Sequence, residues 1–231
     1  MKNLSVAIAL CLFVGIFAEA SEEGWFGYQS DRPSARRKTR AGTTNNNADG
    51  RPDITCDTLR KACSNLDSDT VKQINLQINE ELKASYTYQS MAFYFGRDDI
   101  AFRGFSKFFQ EASNEEREHA QKLMDYLNKR GGALILNDVP KPPKDEWTNG
   151  LAALKDALQL EHFVNDKLLD LHWLAQQRND PHLQDFLEGE YLTEQVDSIK
   201  QLSDHVSVLT RMETSPLGEY LFDQELYDGK R

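Results

Sequence analysis

The sequence predicts an all-α protein, a four-helix bundle with one long crossover that is followed by a short fifth helix. Three observations support this prediction. Four long segments carry apolar residues at helical spacing and end at helix-stop signals. The first and last links between these segments are short, whereas the middle link is long. Each apolar seam contains polar residues near the middle of its helix.

Residues 1–20 have the pattern of a secretory signal peptide. Lys2 gives the positive start, an apolar run extends from Leu4 to Phe17, and Ala18-Glu19-Ala20 is typical of a cleavage site. The apolar run is too short to span a membrane, and no second run of this kind follows it. We therefore expect a protein of the secretory pathway, secreted or retained there, with no membrane span in the mature chain.

Residues 21–67 lack a helical or strand pattern, and we interpret them as a flexible N-terminal arm. A basic cluster in this arm is either a docking segment or, as the favoured alternative, part of a solvated tail. It comprises Arg32, Arg36, Arg37, Lys38 and Arg40. The whole chain has a formal net charge of −10, which argues against nucleic acid as its main partner.

The cysteines indicate a disulfide. Cys11 would leave with the signal peptide, so Cys56 and Cys63 would remain in a chain that passes an oxidising compartment. One bond between these two cysteines and two bonds to another chain both fit the sequence.

Residues 68–231 are predicted to form the bundle domain, and its first helical hairpin has clear limits. Ser68 or Asp69 is suited to cap the first helix, and Gly96 is suited to end it. Gly131-Gly132 ends the second helix. We expect helices over residues 69–95, 103–130, 148–178 and 182–209, and a short fifth helix over 216–226.

The link between the second and third helices determines the topology. Helices of this size are roughly 40 Å long, and an extended chain covers at most about 3.6 Å per residue. The link has about seventeen residues, enough to run the length of a helix. Two antiparallel hairpins joined by one such crossover is the topology of the ferritin-like bundle. The third helix has the predicted seam Leu151, Leu154, Leu158, Glu161, Asn165, Leu168 and His172.

The polar residues of the four seams predict a metal centre. Glu116 and His119 lie three residues apart, the Glu-x-x-His spacing with which bundle proteins offer two ligands to one metal ion. Because the middle levels of antiparallel helices coincide, we expect one buried cluster. It contains Glu81, Tyr88, Glu116, His119, Glu161 and Gln195. Buried carboxylates without partners are costly, so we favour a metal, with iron as the natural candidate, over a metal-free polar network.

Five stretches of the sequence are also typical of one protein family: Gln77–Leu82, Tyr94–Asp99, Glu115–Ala120, Asn179–Leu183 and Tyr191–Val196. Through them the chain resembles the ferritins over roughly residues 70–227, and specifically a ferroxidase-type (heavy-chain-like) subunit of the secreted invertebrate kind. The resemblance implies a hollow cage of twenty-four subunits that oxidises Fe(II) to Fe(III) with O2 and stores the ferric mineral inside.

The resemblance also implies roles for the clustered residues. Glu81, Glu116 and His119 are similar to the ligands of a first iron, and Glu116 would bridge to a second iron held by Glu161. Light-type chains lack much of this set.

The second iron of the implied centre has no His ligand. Gln195 would lie near this iron, and Tyr88 would hydrogen-bond beside the centre. Ser198 stands three residues after Gln195, where a second Glu-x-x-His would place its His. A weaker second site is consistent with iron that acts as a substrate and moves on.

Two further acidic sets follow from the resemblance. His172, Asp185 and Glu188 match the lining of three-fold channels through which Fe(II) enters, and without the resemblance they would be interpreted as surface salt bridges. Glu115 and Glu118 match a cavity-facing patch that nucleates the mineral.

Three functions are therefore compared. A ferroxidase and storage cage fits the whole pattern. A di-iron oxygenase would require an organic-substrate pocket and a second Glu-x-x-His, and a metal-free helical structural protein would have apolar seams throughout. The expected partners of a cage subunit are other ferritin subunits, either copies of this chain or a light-type chain, together with iron ions and O2.

Overall fold

The computed structural model describes residues 60–212 and 215–230. The predicted signal peptide, most of the predicted arm and Cys56 lie outside the described residues. Disulfide bonding by Cys56 and Cys63, to each other or to another chain, therefore stays a prediction. Among the described residues, no helix has the length and apolar character needed to cross a membrane.

The described residues confirm the predicted all-α architecture, and they contain no strand. The helices are α1 (Ser68–Phe95), α2 (Arg103–Lys129), α3 (Gly150–Gln177), α4 (Pro181–Leu187), α5 (Thr193–Arg211) and α6 (Pro216–Tyr227). A π-helical turn, Glu188–Leu192, joins α4 to α5, so that these three segments form the fourth long helix of the bundle. The long link between α2 and α3 is the predicted crossover.

The cap of the first helix differs from the prediction. Asp67, rather than Ser68 or Asp69, accepts hydrogen bonds from the backbone N–H groups of Asp69 and Thr70. An N-cap residue has an extended backbone, which Asp67 has at φ −78° and ψ 149°. Several acceptor residues in succession make the cap position ambiguous from the sequence alone.

The helices α1 and α2 approach each other closely at the middle of the bundle. The hydroxyl of Ser85 donates to the carbonyl of Ser113 at 2.7 Å, and the hydroxyl of Ser113 donates to the carbonyl of Ser85 at 2.8 Å. Small side chains allow such close contact. The serines lie within about one turn of Glu81 and Glu116, so this contact also brings the two carboxylates to one level.

The seam of α3 differs from the prediction at several positions. Leu151, Leu158, Asn165 and His172 are only half-buried. The buried face instead includes Ala153, Ala157, Leu160, Val164 and Leu171, together with the predicted Leu154, Glu161 and Leu168. A strict seven-residue spacing describes one narrow stripe, whereas a helix that packs on several neighbours buries a wider face.

The π-helical turn keeps the fourth long helix in phase with the core. Buried residues of this long helix follow one another at steps of four: Leu183, Leu187, Tyr191 and Gln195. A regular α-helix has 3.6 residues per turn, so each such step would rotate the buried face by about 40°. A π-helical turn contains more residues than an α-helical turn and so compensates for this rotation. Residues before and after the turn therefore both face the core.

The last helix, α6, supplies acceptors to the starts of two other helices. Asp223 accepts from the backbone N–H groups of Gly104 and Phe105 at 2.7 and 3.0 Å, and Glu219 accepts from the N–H of Gly150. The N-cap residue of α2, Phe102, makes no side-chain cap hydrogen bond. The first turn of α2 therefore depends on a carboxylate from α6, whereas α3 also has its own cap, Asn149, which accepts from the N–H of Ala152 at 2.8 Å.

Gly104 is required for this contact because a Cβ atom there would lie 1.8 Å from the carbonyl oxygen of Asp223. Phe222, the neighbour of Asp223, stacks on Phe105 with ring centroids 5.7 Å apart. Hydrogen bonds to Asp223 and ring stacking by Phe222 therefore both hold α6 against the start of α2.

We predict that Asp223→Ala loosens the start of α2. The change removes an acceptor for two backbone amides, and the loss of a helix cap costs about 0.5–2 kcal/mol. Hydrogen exchange at Gly104 and Phe105 should become faster, and the unfolding midpoint should fall. Asp223→Asn should keep most of the protection because its amide oxygen also caps and burial already raises the pKa of Asp223. Asp228→Ala, at an exposed carboxylate paired with Lys230, is the control. Unchanged exchange in Asp223→Ala would show that the cap contributes nothing.

Candidate metal centre

Three side chains at the middle of the bundle form a group that could hold a metal ion. Glu81 of α1 and Glu116 and His119 of α2 each offer one ligand atom, and these atoms all lie within 4.8 Å of one another. All three residues are buried, with Glu81 completely enclosed. The two α2 residues lie three positions apart, so one face of the helix presents both.

The two carboxylates of this group have unsatisfied oxygens. Gln77 donates to Oε1 of Glu81 at 2.8 Å, but Oε2 of Glu81 has no hydrogen-bond partner. Oε2 of Glu116 also lacks one. A buried polar atom without a partner costs about 1–3 kcal/mol. A cation between the two oxygens would satisfy both, so the residues present fit a metal site.

His119 lies between two carboxylates. Its Nδ1 atom is 3.5 Å from Oε2 of Glu116, and its Nε2 atom is 3.1 Å from Oε2 of Glu194. Tyr191 packs its ring against the imidazole, with centroids 5.4 Å apart, and its hydroxyl donates to the carbonyl of His119 at 2.8 Å. The fourth long helix therefore contacts both the backbone and the ring of His119.

Glu161 of α3 is held on the opposite side of the cluster. Tyr88 donates its hydroxyl proton to Oε1 of Glu161. The amide of Gln195 donates to Oε2 of Glu161 at 3.1 Å and to its backbone carbonyl at 3.0 Å. Both carboxylate oxygens have donors, which prepares Glu161 to stay charged more readily than Glu81 or Glu116.

A cavity of about 150 Å³ adjoins the cluster. Its lining includes the predicted residues Tyr88, Glu116, His119, Glu161 and Gln195. Glu115 and Glu194 also line the cavity and bring further carboxylates to it. The space is large enough for ions and a few water molecules.

Burial controls the protonation of the carboxylates. It raises the pKa of Glu81 well above its ordinary value, and the nearby charge of Glu116 adds to the effect. It also raises the pKa of Glu116 well above the ordinary value, with Glu161 adding to the effect. Burial raises the pKa of Glu161 too, although the hydrogen bonds from Tyr88 and Gln195 oppose this. Without metal the cluster favours protons, which a bound cation would replace.

The six residues that the sequence predicts to meet at mid-bundle do lie around one cluster and its cavity. Sequence reasoning gave no role to Glu194, which the structure places on His119, or to Gln77, which it places on Glu81. Each residue stands near a predicted one in the sequence, Glu194 beside Gln195 and Gln77 one turn before Glu81. Their closeness in the sequence to predicted polar residues of the seams was the one signal that could have pointed to them.

The other predicted site residues lie away from the centre or at its edge. Nε2 of His172 and Oε1 of Glu188 are 2.7 Å apart, and Asp185 is exposed one turn before Glu188. Glu115 and Glu118 are both exposed residues of α2. Partial burial of its carboxyl group raises the pKa of Glu115. The channel and nucleation roles of these residues stay predictions.

Comparison with known proteins gives consistent matches. The family described as the ferritin-like domain matches residues 71–212. The middle-subunit ferritin of Salmo salar is 55% identical over 168 residues, which are 72% of this chain and 96% of that protein. The soma ferritin of Lymnaea stagnalis is 55% identical over 167 residues, which are 72% of this chain and 95% of that protein.

We predict that Glu81→Gln stabilises the metal-free protein at neutral pH. The oxygen of the new amide can still accept from Gln77, and its nitrogen can donate to the unsatisfied oxygen of Glu116. The expected gain is about 1–3 kcal/mol, the usual cost of one unsatisfied buried polar group. Denaturant unfolding of the metal-free proteins at pH 7.5 and pH 5 measures it.

The sign of the pH dependence follows from the raised pKa of Glu81. The folded chain binds this proton more tightly than the unfolded chain, so the contribution of Glu81 to the stability of the wild type falls as the pH rises above 4.5. The advantage of Glu81→Gln should therefore shrink at pH 5. Glu80→Gln is the matched control, since Glu80 pairs with Lys83 at 3.2 Å. A destabilised Glu81→Gln would contradict the prediction.

Proposed function

The chain belongs to the ferritin family, and from this premise we propose that it is an iron-storage subunit with ferroxidase activity. Its substrate is Fe(II), which O2 oxidises to Fe(III) at a di-iron centre in the middle of the bundle. The observation that carries this proposal is the pair of unsatisfied, buried carboxylate oxygens on Glu81 and Glu116, close to the imidazole of His119.

In this proposal, different sets of residues bind the two Fe(II) ions. Glu81, Glu116 and His119 hold the first ion, and Glu116 bridges to the second, which Glu161 binds. Mixed carboxylate and imidazole ligands suit iron. Gln195 and Tyr88 hold Glu161 through their hydrogen bonds and so orient its oxygens towards the second ion.

The reaction transfers electrons from iron to oxygen. Each of two Fe(II) ions loses one electron, and O2 gains both. With two protons taken up, the reduced oxygen leaves as hydrogen peroxide, while the Fe(III) ions are hydrolysed and released towards the mineral. The protein contributes placement and charge compensation, and the redox chemistry belongs to the metal.

The alternative of a di-iron oxygenase fits the structure less well. Pockets for small organic molecules usually measure about 300–1,000 Å³, whereas the cavity beside this cluster measures about 150 Å³. A metal-free structural protein is also disfavoured, because it would bury two facing carboxyl groups, Glu81 and Glu116, at a cost that apolar side chains at these positions would avoid.

We propose that the subunits assemble into a shell of twenty-four, made of this chain alone or together with a light-type chain. The family supports this proposal, and several large apolar side chains that are exposed on the described surface are available for subunit contacts. They include Leu76, Phe93, Ile135, Leu136 and Trp173, all more than half exposed.

Further proposed roles concern iron entry, mineral nucleation, targeting of the chain and disulfide bonding. Fe(II) enters through channels lined by His172, Asp185 and Glu188, and Glu115 and Glu118 nucleate the mineral. Residues 1–20 direct the chain into the secretory pathway, where Cys56 and Cys63 form one disulfide with each other or two disulfides to another chain. These assignments are supported by the sequence pattern and the family.

We predict that Glu116→Ala combined with His119→Ala abolishes fast iron oxidation. The double variant loses the bridging carboxylate and the imidazole. After aerobic addition of Fe(II), the ferric absorbance should rise at least about tenfold more slowly than in the wild type, close to the rate without protein. Stopped-flow absorbance measures the difference.

The matched control for this experiment changes two exposed residues of the same helix, Gln121→Ala with Asp125→Ala. It should oxidise iron at the wild-type rate. Equal and slow oxidation in all three proteins would mean that the cluster is structural and that the chain is at most a cage-former.

The proposed shell makes a separate prediction about size. Twenty-four copies of a 26.4-kDa chain without its signal peptide should elute as an assembly of about 600 kDa. Size exclusion with light scattering measures this mass. A single subunit or a small oligomer would contradict the shell, whatever the oxidation assay shows.

A further inference from the structure

We propose that Glu194 is a positioning residue for His119. Its carboxylate holds the imidazole in the tautomer that directs the lone pair of Nδ1 towards Glu81 and Glu116. This inference rests on the proposed function, since it concerns how the chain prepares its imidazole ligand for a metal ion. The sequence pattern alone gives this side chain no role.

The two nitrogens of His119 face different carboxylates. Nε2 lies 3.1 Å from Glu194, within hydrogen-bond distance, while Nδ1 lies 3.5 Å from Glu116. A neutral imidazole has one N–H donor and one acceptor nitrogen, and its surroundings determine which is which. The shorter contact is with Glu194, so the N–H belongs on Nε2.

This choice of tautomer leaves Nδ1 free to bind a cation. A charged carboxylate only accepts hydrogen bonds, so Glu194 favours a proton on Nε2 and disfavours a lone pair there. Nδ1 then presents its lone pair at the edge of the ring that lies 3.5 Å from Oε2 of Glu116, one of the unsatisfied oxygens of the ligand group. Histidines that bind metals commonly donate their other N–H group to a carboxylate in this way.

The location of Glu194 separates it from the ligand group itself. The three residues whose ligand atoms converge are Glu81, Glu116 and His119, and Glu194 is not among them. Its side chain is 39% exposed, whereas that of His119 is 8% exposed. Glu194 is therefore the more exposed partner of the imidazole, and it contacts a different ring nitrogen from Glu116.

The fourth long helix fixes Glu194 in this position. Tyr191 lies three residues before Glu194, on the same face, and anchors that face by donating to the carbonyl of His119 at 2.8 Å. On the next position, Gln195 binds Glu161 through two hydrogen bonds. Contacts on both sides thus determine the rotation of the helix and the direction of the Glu194 side chain.

Cobalt(II) provides a test that does not depend on iron oxidation. Visible absorbance of the metal-free protein during titration with Co(II) reports binding, and the signal that the Glu116→Ala, His119→Ala double variant lacks belongs to the centre. Glu194→Ala should weaken this component about tenfold or more, the usual effect of losing the partner of a metal-binding histidine. Glu194→Gln should stay within about threefold of the wild type, because its amide oxygen can still accept from Nε2.

A nearby carboxylate provides the matched control. Glu190 lies in the same helix and pairs with Lys122 at 3.5 Å, with both side chains exposed. Glu190→Ala removes the same charge without touching the imidazole, so its Co(II) titration should match the wild type.

The other outcomes overturn the proposal in distinguishable ways. Wild-type affinity in Glu194→Ala would show that His119 needs no partner at Nε2. Equal weakening in Glu194→Ala and Glu194→Gln would show that the negative charge or direct metal binding matters, rather than the hydrogen bond. Identical titrations of the wild type and the double variant would show that the cluster does not bind the metal, and the proposed function would then fail too.

Discussion

The burial of two carboxylates opposite each other is the constraint on which this structure depends. Glu81 and Glu116 are brought to one level by the close approach of α1 and α2, where Ser85 and Ser113 exchange hydrogen bonds. Hydrophobic packing forms the bundle around them, but burying two facing carboxyl groups in its middle opposes that packing. The fold thus holds in place an arrangement that only protons or a cation can satisfy.

The rest of the cluster shows how the bundle treats its polar groups differently. Glu161 receives hydrogen bonds from Tyr88 on one neighbouring helix and from Gln195 on another, so both of its oxygens are occupied. Oε2 of Glu81 and Oε2 of Glu116 receive none. The hydrogen bonds of Glu161 are therefore complete without metal, whereas those of Glu81 and Glu116 are not. This difference supports the proposed function, in which iron binds at the centre, reacts and leaves.

Much of the fold and of the central cluster was predictable because helix length, link length and mid-seam polarity are properties of the sequence. The π-helical turn at 188–192 and the wide buried face of α3 were not predicted, since both depend on how several helices pack together. The position of Glu194 was also missed. A carboxylate near the edge of a seam has no periodic signal, and only the structure shows that its partner is the second nitrogen of His119.

The attachment of α6 has a consequence for the order in which the chain can complete its structure during synthesis. Domains form progressively as a chain is made, beginning with the N-terminal segments. Asp223 and Glu219 belong to the last helix, yet they bind backbone amides at the starts of α2 and α3. Both of those helices are therefore made before these two acceptors exist, although α3 also has its own cap in Asn149. One end of the bundle stays incomplete until the C-terminus is synthesised, so a nascent or truncated subunit differs from a finished one at that end.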